Sequence, residues 1–489
     1  MKIKQNFPLW FFILFSIIYS SSAFSATYWV SPSGSTSNDC SSLDSTCETL
    51  DQALKLATSP GDIVNLTAGT YAHATTDCTF YQHPALACIR GSGTESKPII
   101  IQAAPGDEDQ VIIDGSNTYA GIMLRDYDYI TIRNLEFANL TNVGIFSQGV
   151  RHTSISSSDN TGLSVGVIIE NNYFHDIKAN LAGGNIGAIR LDSGKNWTIK
   201  NNRIENICGT TSEGCRWINS ACIYSYVVIN ARIENNYCAN SGAFVHWKDS
   251  VVDENNNPTI HGSTVKYNFS ENIHHGFYIS HGDSNPESSN HTVTNNIFTD
   301  LIGACLALFT YTADGAQSVN YVYEHNICDN ADVNVYSKSA EVLSAKGNIF
   351  SNPRNTWSHS YRYFQDSNAT LVSANYNIYS PTFSKAEMLY DAGGLGFNTL
   401  DEWKAAVIPS KITPNNPDQH SKEFNISEIY SDINRNDFSP PNSSPLLGFM
   451  SNGDNAGPYQ NGNEVIGLTI IENQKSLANP PTSFSANKI

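Results

Sequence analysis

The sequence predicts an all-β solenoid, a β-helix in which short strands stack coil upon coil. The first observation is a phrase, an asparagine followed closely by a mostly apolar position, that returns nine times between residues 134 and 377. The gaps between these asparagines range from 22 to 38 residues, which is typical of stacked coils with loops of variable length. The second observation is that each repeat holds two or three short β-branched or aromatic segments broken by glycine and asparagine, without helical periodicity. The asparagines are Asn134, Asn172, Asn202, Asn236, Asn268, Asn296, Asn326, Asn348 and Asn377.

Residues 1–26 are predicted to be a signal peptide. Lys2 and Lys4 precede an apolar run at residues 7–19, and small residues follow at 23–26. The run is short for a membrane span, although a retained signal anchor stays open. We therefore expect a protein that is secreted or periplasmic and has no membrane partner after signal removal.

Residues 27–96 are predicted to form an N-terminal cap and the first coil. A strand opens at Thr27, and Leu50, Ala53, Leu54 and Ala57 have the spacing of a short amphipathic helix. A solenoid end exposes apolar core and unpaired strand edges, so something must cover it. This helix is the expected cover.

The coils proper are predicted at residues 97–380, followed by a C-terminal cap at 381–467. Within that cap, Thr399 precedes a short helical pattern and serves as its expected N-cap. Residues 468–489 are expected to be a disordered tail. One long domain with two caps accounts for the chain.

Ten cysteines, all beyond the signal, favour disulfides over metal sites in an exported chain. Spacing suggests local pairs. Two of these pairs repeat one layout, in which the second cysteine lies two residues after a repeat asparagine. The predicted pairs are Cys40–Cys47, Cys78–Cys88, Cys208–Cys215, Cys222–Cys238 and Cys305–Cys328.

Net charge and amino-acid composition limit the classes of molecule that the protein is expected to bind. The formal net charge of −18 disfavours nucleic acid and anionic lipid. Tyrosine occurs 24 times while charged residues make up only 15% of the chain, which suits contacts with sugars. A polysaccharide is the expected partner, and we expect a monomer.

Five features of the sequence resemble those of one group of proteins. They are the opening strand, the capping helix, the asparagine phrase, the stretch from Pro60-Gly61-Asp62 to Ala68-Gly69-Thr70-Tyr71, and the closing Ser444-Pro445-Leu446-Leu447-Gly448. They are similar to the bacterial right-handed parallel β-helix proteins over roughly residues 27–467. That group includes pectate, alginate and chondroitin lyases. The resemblance implies this fold, with an N-terminal capping helix and a C-terminal cap.

A solenoid builds a site from side chains that point outward from matching strands of neighbouring coils. Alternation along the strands before each asparagine phrase predicts several polar residues on one outer face. In the fourth coil two registers stay open, with either Tyr278 and Ser280 or Ile279 and His281 outward. His274, His275 and His291 are expected in loops. The outward residues of the first three coils are Arg190, Asp192, Tyr224, Tyr226, His246 and Lys248.

This set matches the requirements of β-elimination from a uronate-containing polysaccharide. A cation must neutralise the sugar carboxylate, a base must take the α-proton, and an acid must protonate the leaving oxygen. We assign Lys248 as the base, Arg190 as the cation, and Tyr224, His246 or His281 as the acid. Tyr226, Asp192 and Asp283 are predicted to bind substrate.

The phrases around Lys248 and His281 also resemble those of polysaccharide lyases of the chondroitinase B and alginate lyase kind. The resemblance implies a lysine base, an arginine acid and a calcium ion. In this chain Lys248 and His281-Gly282 match, but the arginine position holds Ser280, and residues 244–246 hold none of the calcium-binding glutamates. No metal ligands are therefore assigned; the cofactor stays unknown, with calcium possible.

Two other function classes stay open. A non-catalytic solenoid, such as a surface adhesin or glycan-binding protein, would use the tyrosine-rich face without chemistry. A β-helical glycoside hydrolase would need two carboxylates at a defined separation. Asp192, Asp249 and Asp283 lie near the face, but the paired Asp-Asp and Gly-His-Gly phrases of polygalacturonases are absent.

Overall fold

The computed structural model has the predicted architecture, a parallel β-helix. Neighbouring strands come from successive coils, so nearly all described pairings are parallel. It describes residues 25–72, 77–80, 83–116, 118–147, 163–179, 185–209, 214–216, 219–248, 260–281, 288–310, 318–338, 341–354, 361–364, 370–371, 373–381, 386–388, 395–406, 417–461 and 464–468.

The strands and helices are short, as the repeat requires. The first half of the chain contains β1 (Thr27–Val30), β2 (Ile63–Leu66), β3 (Gly69–Tyr71), β4 (Thr79–Phe80), β5 (His83–Cys88), β6 (Ile99–Ala103), β7 (Val111–Asp114), β8 (Ala120–Leu124), β9 (Ile130–Arg133), β10 (Glu136–Ala138), β11 (Val143–Ser147), β12 (Ser164–Val165), β13 (Ile168–Glu170), β14 (Tyr173–Lys178), β15 (Ile186–Lys195), β16 (Thr198–Lys200), β17 (Arg203–Cys208), β18 (Ser220–Ile229), β19 (Arg232–Glu234) and β20 (Tyr237–Trp247).

The second half contains β21 (Ile260–His261), β22 (Thr264–Lys266), β23 (Phe269–His281), β24 (Ser288–Thr294), β25 (Ile297–Thr310), β26 (Ser318–Glu324), β27 (Ile327–Lys338), β28 (Glu341–Lys346), β29 (Ile349–Ser351), β30 (Tyr361–Phe364), β31 (Thr370–Leu371), β32 (Ala374–Asn375), β33 (Ile378–Ser380), β34 (Ala386–Met388), β35 (Leu395–Phe397) and β36 (Lys422–Glu423). The helices are α1 (Leu50–Leu54), α2 (Leu400–Lys404) and α3 (Ile426–Ile429), with 3-10 turns at Leu43–Ser45, Gly214–Arg216 and Ile433–Arg435.

Two long sheets run the length of the solenoid. The first has 14 strands and includes the series β13, β16, β19 and β22. The second has 19 strands and includes the series β14, β17 and β20, together with β15 and β18. Side chains alternate along each strand, so one residue in two enters the core. Ile199, Ile233 and Val265 show this as a fully buried column inside the first sheet.

The repeat asparagines form a buried hydrogen-bonded ladder between the two sheets. The backbone N–H and the Nδ2 of Asn202 both donate to Oδ1 of Asn236, each at 3.0 Å. Nδ2 of Asn202 also donates to the carbonyl of Ile169 at 2.9 Å. The same pattern repeats in the other coils, and no ladder side chain is exposed. The ladder residues are Asn172, Asn202, Asn236, Asn268, Asn296, Asn326, Asn348 and Asn377.

The assignment of Asn134 to the repeat position is wrong by one residue. Asn134 has φ 58°, the left-handed corner conformation that asparagine tolerates and that residues such as Asn171 and Asn201 adopt elsewhere. Leu135 occupies the ladder position and donates its N–H to Oδ1 of Asn172 at 3.2 Å. Asparagine suits both the corner position and the ladder position that follows it. The sequence therefore does not show which of the two a single asparagine occupies.

The ladder ends on an aspartate in the C-terminal part of the chain. Oδ1 of Asp418 accepts from Nδ2 of Asn377 at 2.8 Å, and its Oδ2 accepts from Nε1 of Trp403 at 2.8 Å and from the Tyr379 hydroxyl at 3.0 Å. Trp403 lies in α2, whose N-cap is Thr399 as predicted. At the other end, α1 begins after Thr49, and its Leu50 and Leu54 enter the core.

Residues 424–461 and 464–467 form what we call the side strap. The strap covers an apolar row on the outside of the second sheet: Ile297, Ile327, Ile349 and Ile378 pack against Phe438 and its neighbours. The strap contacts three successive coils on the way towards the N-terminal end of the solenoid. Gln460 contacts His325, Pro458 contacts Asn295, and Gly467 contacts Tyr267. The region predicted as a C-terminal cap thus closes the end and also lies along the side.

Five disulfides are present, and they join the pairs that spacing suggested. Cys222–Cys238 and Cys305–Cys328 tie corresponding positions of two coils in the core. Within the described ranges, no helix is long and apolar enough to cross a membrane. Residues 1–24 and 469–489, which hold nearly all of the predicted signal and tail, lie outside the described residues.

Loss of one ladder amide should destabilise the fold. We expect Asn202→Ala to cost about 2–4 kcal/mol, because it leaves buried partners such as the Ile169 carbonyl without a hydrogen bond. Asn201→Gly is the matched control, since the left-handed φ of 55° at Asn201 suits glycine. Chemical denaturation of both variants measures the difference. Equal losses would contradict the role of the ladder.

The outer surface of the second sheet contains a histidine held between two carboxylates. Nε2 of His175 lies 3.0 Å from Oε1 of Glu136, and its Nδ1 lies 2.9 Å from Oδ2 of Asp176. Burial alone would lower the pKa of His175, but the hydrogen bonds and charges of the two carboxylates outweigh it and raise the pKa. The folded protein therefore favours the protonated imidazole.

This arrangement predicts a pH-dependent contribution to stability. The pKa of His175 in the folded protein lies above its unfolded value of about 6.5. The protonated imidazole therefore stabilises the folded state fully below about pH 6.5, and this stabilisation is lost as pH rises through the folded pKa. Relative to His175→Gln, the wild type should gain most in melting temperature near pH 5.5 and least near pH 8.5. A difference that grows with pH would refute this assignment.

Candidate active site

Four residues in successive coils form what we call the central row of the second sheet. Arg190 pairs in register with Tyr224, Tyr224 with His246, and His246 with Tyr278. Their neighbours in sequence belong to the core: Ile189, Ile223, Val245 and Phe277. The central row therefore points outward, as alternation predicts.

The central row is covered rather than open to solvent. Tyr224 and His246 are fully buried, and Arg190 and Tyr278 are 4% and 7% exposed. The rings stack along the solenoid axis, with centroids 4.7 Å apart between Tyr224 and His246 and 4.3 Å apart between His246 and Tyr278. Such contacts fix the ring orientations and give this outer face a small apolar cluster of its own.

The charge of Arg190 is balanced within its own strand. Its Nε donates to Oδ1 of Asp192 at 2.8 Å, and its Nη2 donates to Oδ2 at 3.2 Å. Burial alone would lower the pKa of Arg190, but the charge and hydrogen bonds of Asp192 outweigh it and raise the pKa. A substrate carboxylate at Arg190 would share the guanidinium with Asp192, so Asp192 acts first as a partner of Arg190.

Lys248 and Tyr226 lie one outward position beyond the central row. Nζ of Lys248 donates to Oδ1 of Asn185 at 3.1 Å and lies 5.6 Å from the ring centroid of Tyr224. Nδ2 of Asn185 donates to the Tyr226 hydroxyl. Lys248 is only partly buried, whereas Tyr226 is 7% exposed.

Sequence reasoning missed Asn185. It precedes β15 and lies outside the asparagine phrase, so the repeat gives no signal for it. Its backbone carbonyl also accepts from Nη1 of Arg190 at 3.2 Å. One residue thus contacts three of the predicted site residues: Arg190, Tyr226 and Lys248.

The fourth coil takes the first of its two possible registers. Tyr278 and Ser280 face outward, while Ile279 belongs to the core. The Ser280 hydroxyl lies 2.7 Å from Nε2 of His246. His281 ends β23 on the opposite alternation from Ser280, and its side chain is outside the described residues. Asp283 and Asp249 lie outside the described residues as well.

The histidines expected in loops lie in strands instead. His274 and His275 belong to β23, and His291 belongs to β24. His275 stacks on Tyr278 at 4.8 Å, and its Nδ1 accepts the backbone N–H of Ala304 at 2.9 Å. Burial and the neighbouring His274 lower the pKa of His275 well below its usual range, so its imidazole is neutral.

In the portion of the chain that the structure describes, no group of three or more His, Cys, Asp or Glu side chains could hold a metal ion. The residues on the central row and beside it can instead supply cations, hydroxyls and an imidazole. Such groups can donate and accept protons.

Comparison with known proteins places the fold. No protein-family model matches the sequence, and no curated protein matches it. Among solved structures, the pectate lyase Pel9A superposes with a TM-score of 0.51 over 89% of this chain and 96% of that chain, at 12% identity. The two chains share the parallel β-helix fold.

Other solved structures match more loosely. An alginate lyase from Paenibacillus sp. str. FPU-7 has a TM-score of 0.36 and 16% identity, covering 75% of this chain and 97% of that chain. A GH136 lacto-N-biosidase from Eubacterium ramulus has a TM-score of 0.38 and 14% identity, covering 82% and 67%. At these identities the likeness concerns the fold alone, because proteins that share a fold often differ in their functional sites.

The buried Arg190–Asp192 pair predicts strong coupling in stability. Arg190→Met alone should destabilise by about 3–5 kcal/mol, because it removes the guanidinium that bonds both oxygens of the buried Asp192 carboxylate. The double variant Arg190→Met, Asp192→Leu should recover most of that loss, since both charges are gone. Denaturant unfolding of the single and double variants measures the coupling. A double variant no more stable than the single one would contradict it.

Proposed function

We propose that this chain is an exported polysaccharide lyase that cleaves a uronate-containing polysaccharide by β-elimination. The observation that carries the proposal is the placement of Lys248. Its amine is held by the neutral amide oxygen of Asn185, at 3.1 Å, next to the outward Tyr224 and His246. A lysine that acts as a base must lose its proton, and the Asn185 amide contributes no negative charge that would oppose this loss.

In this mechanism Lys248 takes the proton from the carbon next to the uronate carboxylate. Arg190, while paired with Asp192, lends positive charge to that carboxylate and stabilises the developing enolate. Tyr224, His246 or His281 donates a proton to the leaving glycosidic oxygen, and Tyr224 and His246 must first become accessible to the sugar, because both are fully buried. The product carries a new carbon–carbon double bond at its non-reducing end.

Export is supported by the charged and apolar start of the chain and by five disulfides, which persist in oxidising compartments. We therefore propose a secreted or periplasmic location. A monomer is proposed as the working unit, because all central-row residues belong to one chain.

A second candidate function is glycan binding without catalysis. It is favoured by one observation, the buried pair of Arg190 with Asp192, in which the cation already has a counter-charge. In such a protein the tyrosines beside this pair would contact sugar rings, and Lys248 would only anchor an acidic group.

The decisive experiment measures ultraviolet absorbance of unsaturated ends with a panel of uronate-containing polysaccharides. Wild-type protein should release unsaturated product, and Lys248→Ala should lower kcat by about 10²–10⁴-fold because the base is lost. Lys200→Ala is the control, since Lys200 lies on the first sheet and pairs with Glu170.

Three outcomes separate the classes. New reducing ends without absorbance would indicate a hydrolase, and binding without cleavage would indicate the glycan-binding alternative. If product forms but Lys248→Ala behaves like Lys200→Ala, the assignment of the base is wrong.

A further inference from the structure

Asn185 links the charged and hydroxyl groups of the site. Its Oδ1 accepts from Nζ of Lys248 at 3.1 Å, its Nδ2 donates to the Tyr226 hydroxyl, and its backbone carbonyl accepts from Arg190 at 3.2 Å. An ammonium group has only donors, so the amide must turn its oxygen towards Lys248. The Tyr226 hydroxyl then accepts from the amide nitrogen, which fixes both side chains.

Among the described residues, the charged and titratable groups near Lys248 lie on three strands. Arg190 and Asp192 lie on β15, Tyr224 and Tyr226 on β18, and His246 on β20. Arg190 and Lys248 lie over the same Tyr224 ring, at 5.9 Å and 5.6 Å from its centroid. Asp192 makes two hydrogen bonds to Arg190, so its negative charge is directed at the guanidinium. The group that hydrogen-bonds Lys248 from Asn185 is uncharged.

We infer that Asn185 is a positioning residue that aims the Lys248 amine at the substrate through an uncharged hydrogen-bond acceptor. The inference rests on the proposed function and adds to it. An aspartate has nearly the same shape as asparagine, yet it would bring a full negative charge to the amine. Since an opposite charge within about 4–6 Å raises the pKa of a lysine, a carboxylate at this position would move the working pH of the base upwards.

The test compares Asn185→Asp with the wild type in two ways. The pH profile of kcat/KM should move to higher pH by about one unit or more, so that activity near neutrality falls about tenfold per unit. Independently of activity, acetylation of Lys248 by acetic anhydride, followed by mass spectrometry across pH, should show half-maximal labelling displaced in the same direction.

Asn240→Asp is the matched control. Asn240 lies in β20, the strand that leads to Lys248, and it has a left-handed corner conformation that Asp176 and Asp300 adopt in other coils. The control adds the same charge to the coil that leads to Lys248, and it should leave both pH profiles where they are. Asn185→Ala should lower kcat without moving the profile upwards, because no charge is added.

The outcomes distinguish failure of the proposed lyase function from failure of the role assigned to Asn185. If the wild type releases no unsaturated product, the proposed function fails, while the labelling profile still reports whether Asn185 controls Lys248. If Asn185→Asp loses activity equally at every pH and its labelling profile does not move, Asn185 has only a structural role and the inference is overturned. A shift of equal size in Asn240→Asp would also overturn it.

Discussion

The asparagine ladder is the interaction on which the arrangement of this protein depends. Each rung fixes one coil against the next through two donors and one shared oxygen, as Asn202 and Asn236 show. Because the coils from Asn172 to Asn377 repeat this contact, each following strand starts at the same height and direction. Arg190, Tyr224 and His246 can meet in one row only because the ladder sets this common register. Asp418 ends the series with a carboxylate that accepts from the side-chain amide of Asn377, while the backbone N–H of Asn377 donates to the Ser421 hydroxyl.

Much of the fold could be predicted from the sequence because the asparagine phrase is short and recurs in successive coils. The phrase identified the coils, alternation identified which side of each strand faces the core, and cysteine spacing identified the sulfur pairs. The same reasoning placed Asn134 one position off, since its corner and ladder positions both favour asparagine. In the fourth coil, Tyr278 and Ile279 both suit a core position, and only pairing with His246 and Trp247 decides between them.

The site was less accessible because its contacts join residues that share no period. Arg190 and Asp192 are two residues apart on one strand, where alternation puts both outside but does not tell that they bind each other. Lys248 reaches back to Asn185 across 63 residues. Alternation also equates outward with exposed, whereas His246 is buried between two tyrosine rings. Periodicity gives directions, and tertiary packing decides which outward residues meet solvent.

The side strap has a consequence for how the chain is made. A solenoid can grow coil by coil from its first residues, since each coil contacts only its neighbours. Here the row from Phe269 to Ile378 is complete before the residues that cover it have emerged. Transiently exposed apolar surface promotes aggregation, so a late-covered strip is a hazard during synthesis. If the chain is exported as proposed, delivery across a membrane in the unfolded state avoids that interval. Folding then finishes only when the last residues pack against coils formed earlier.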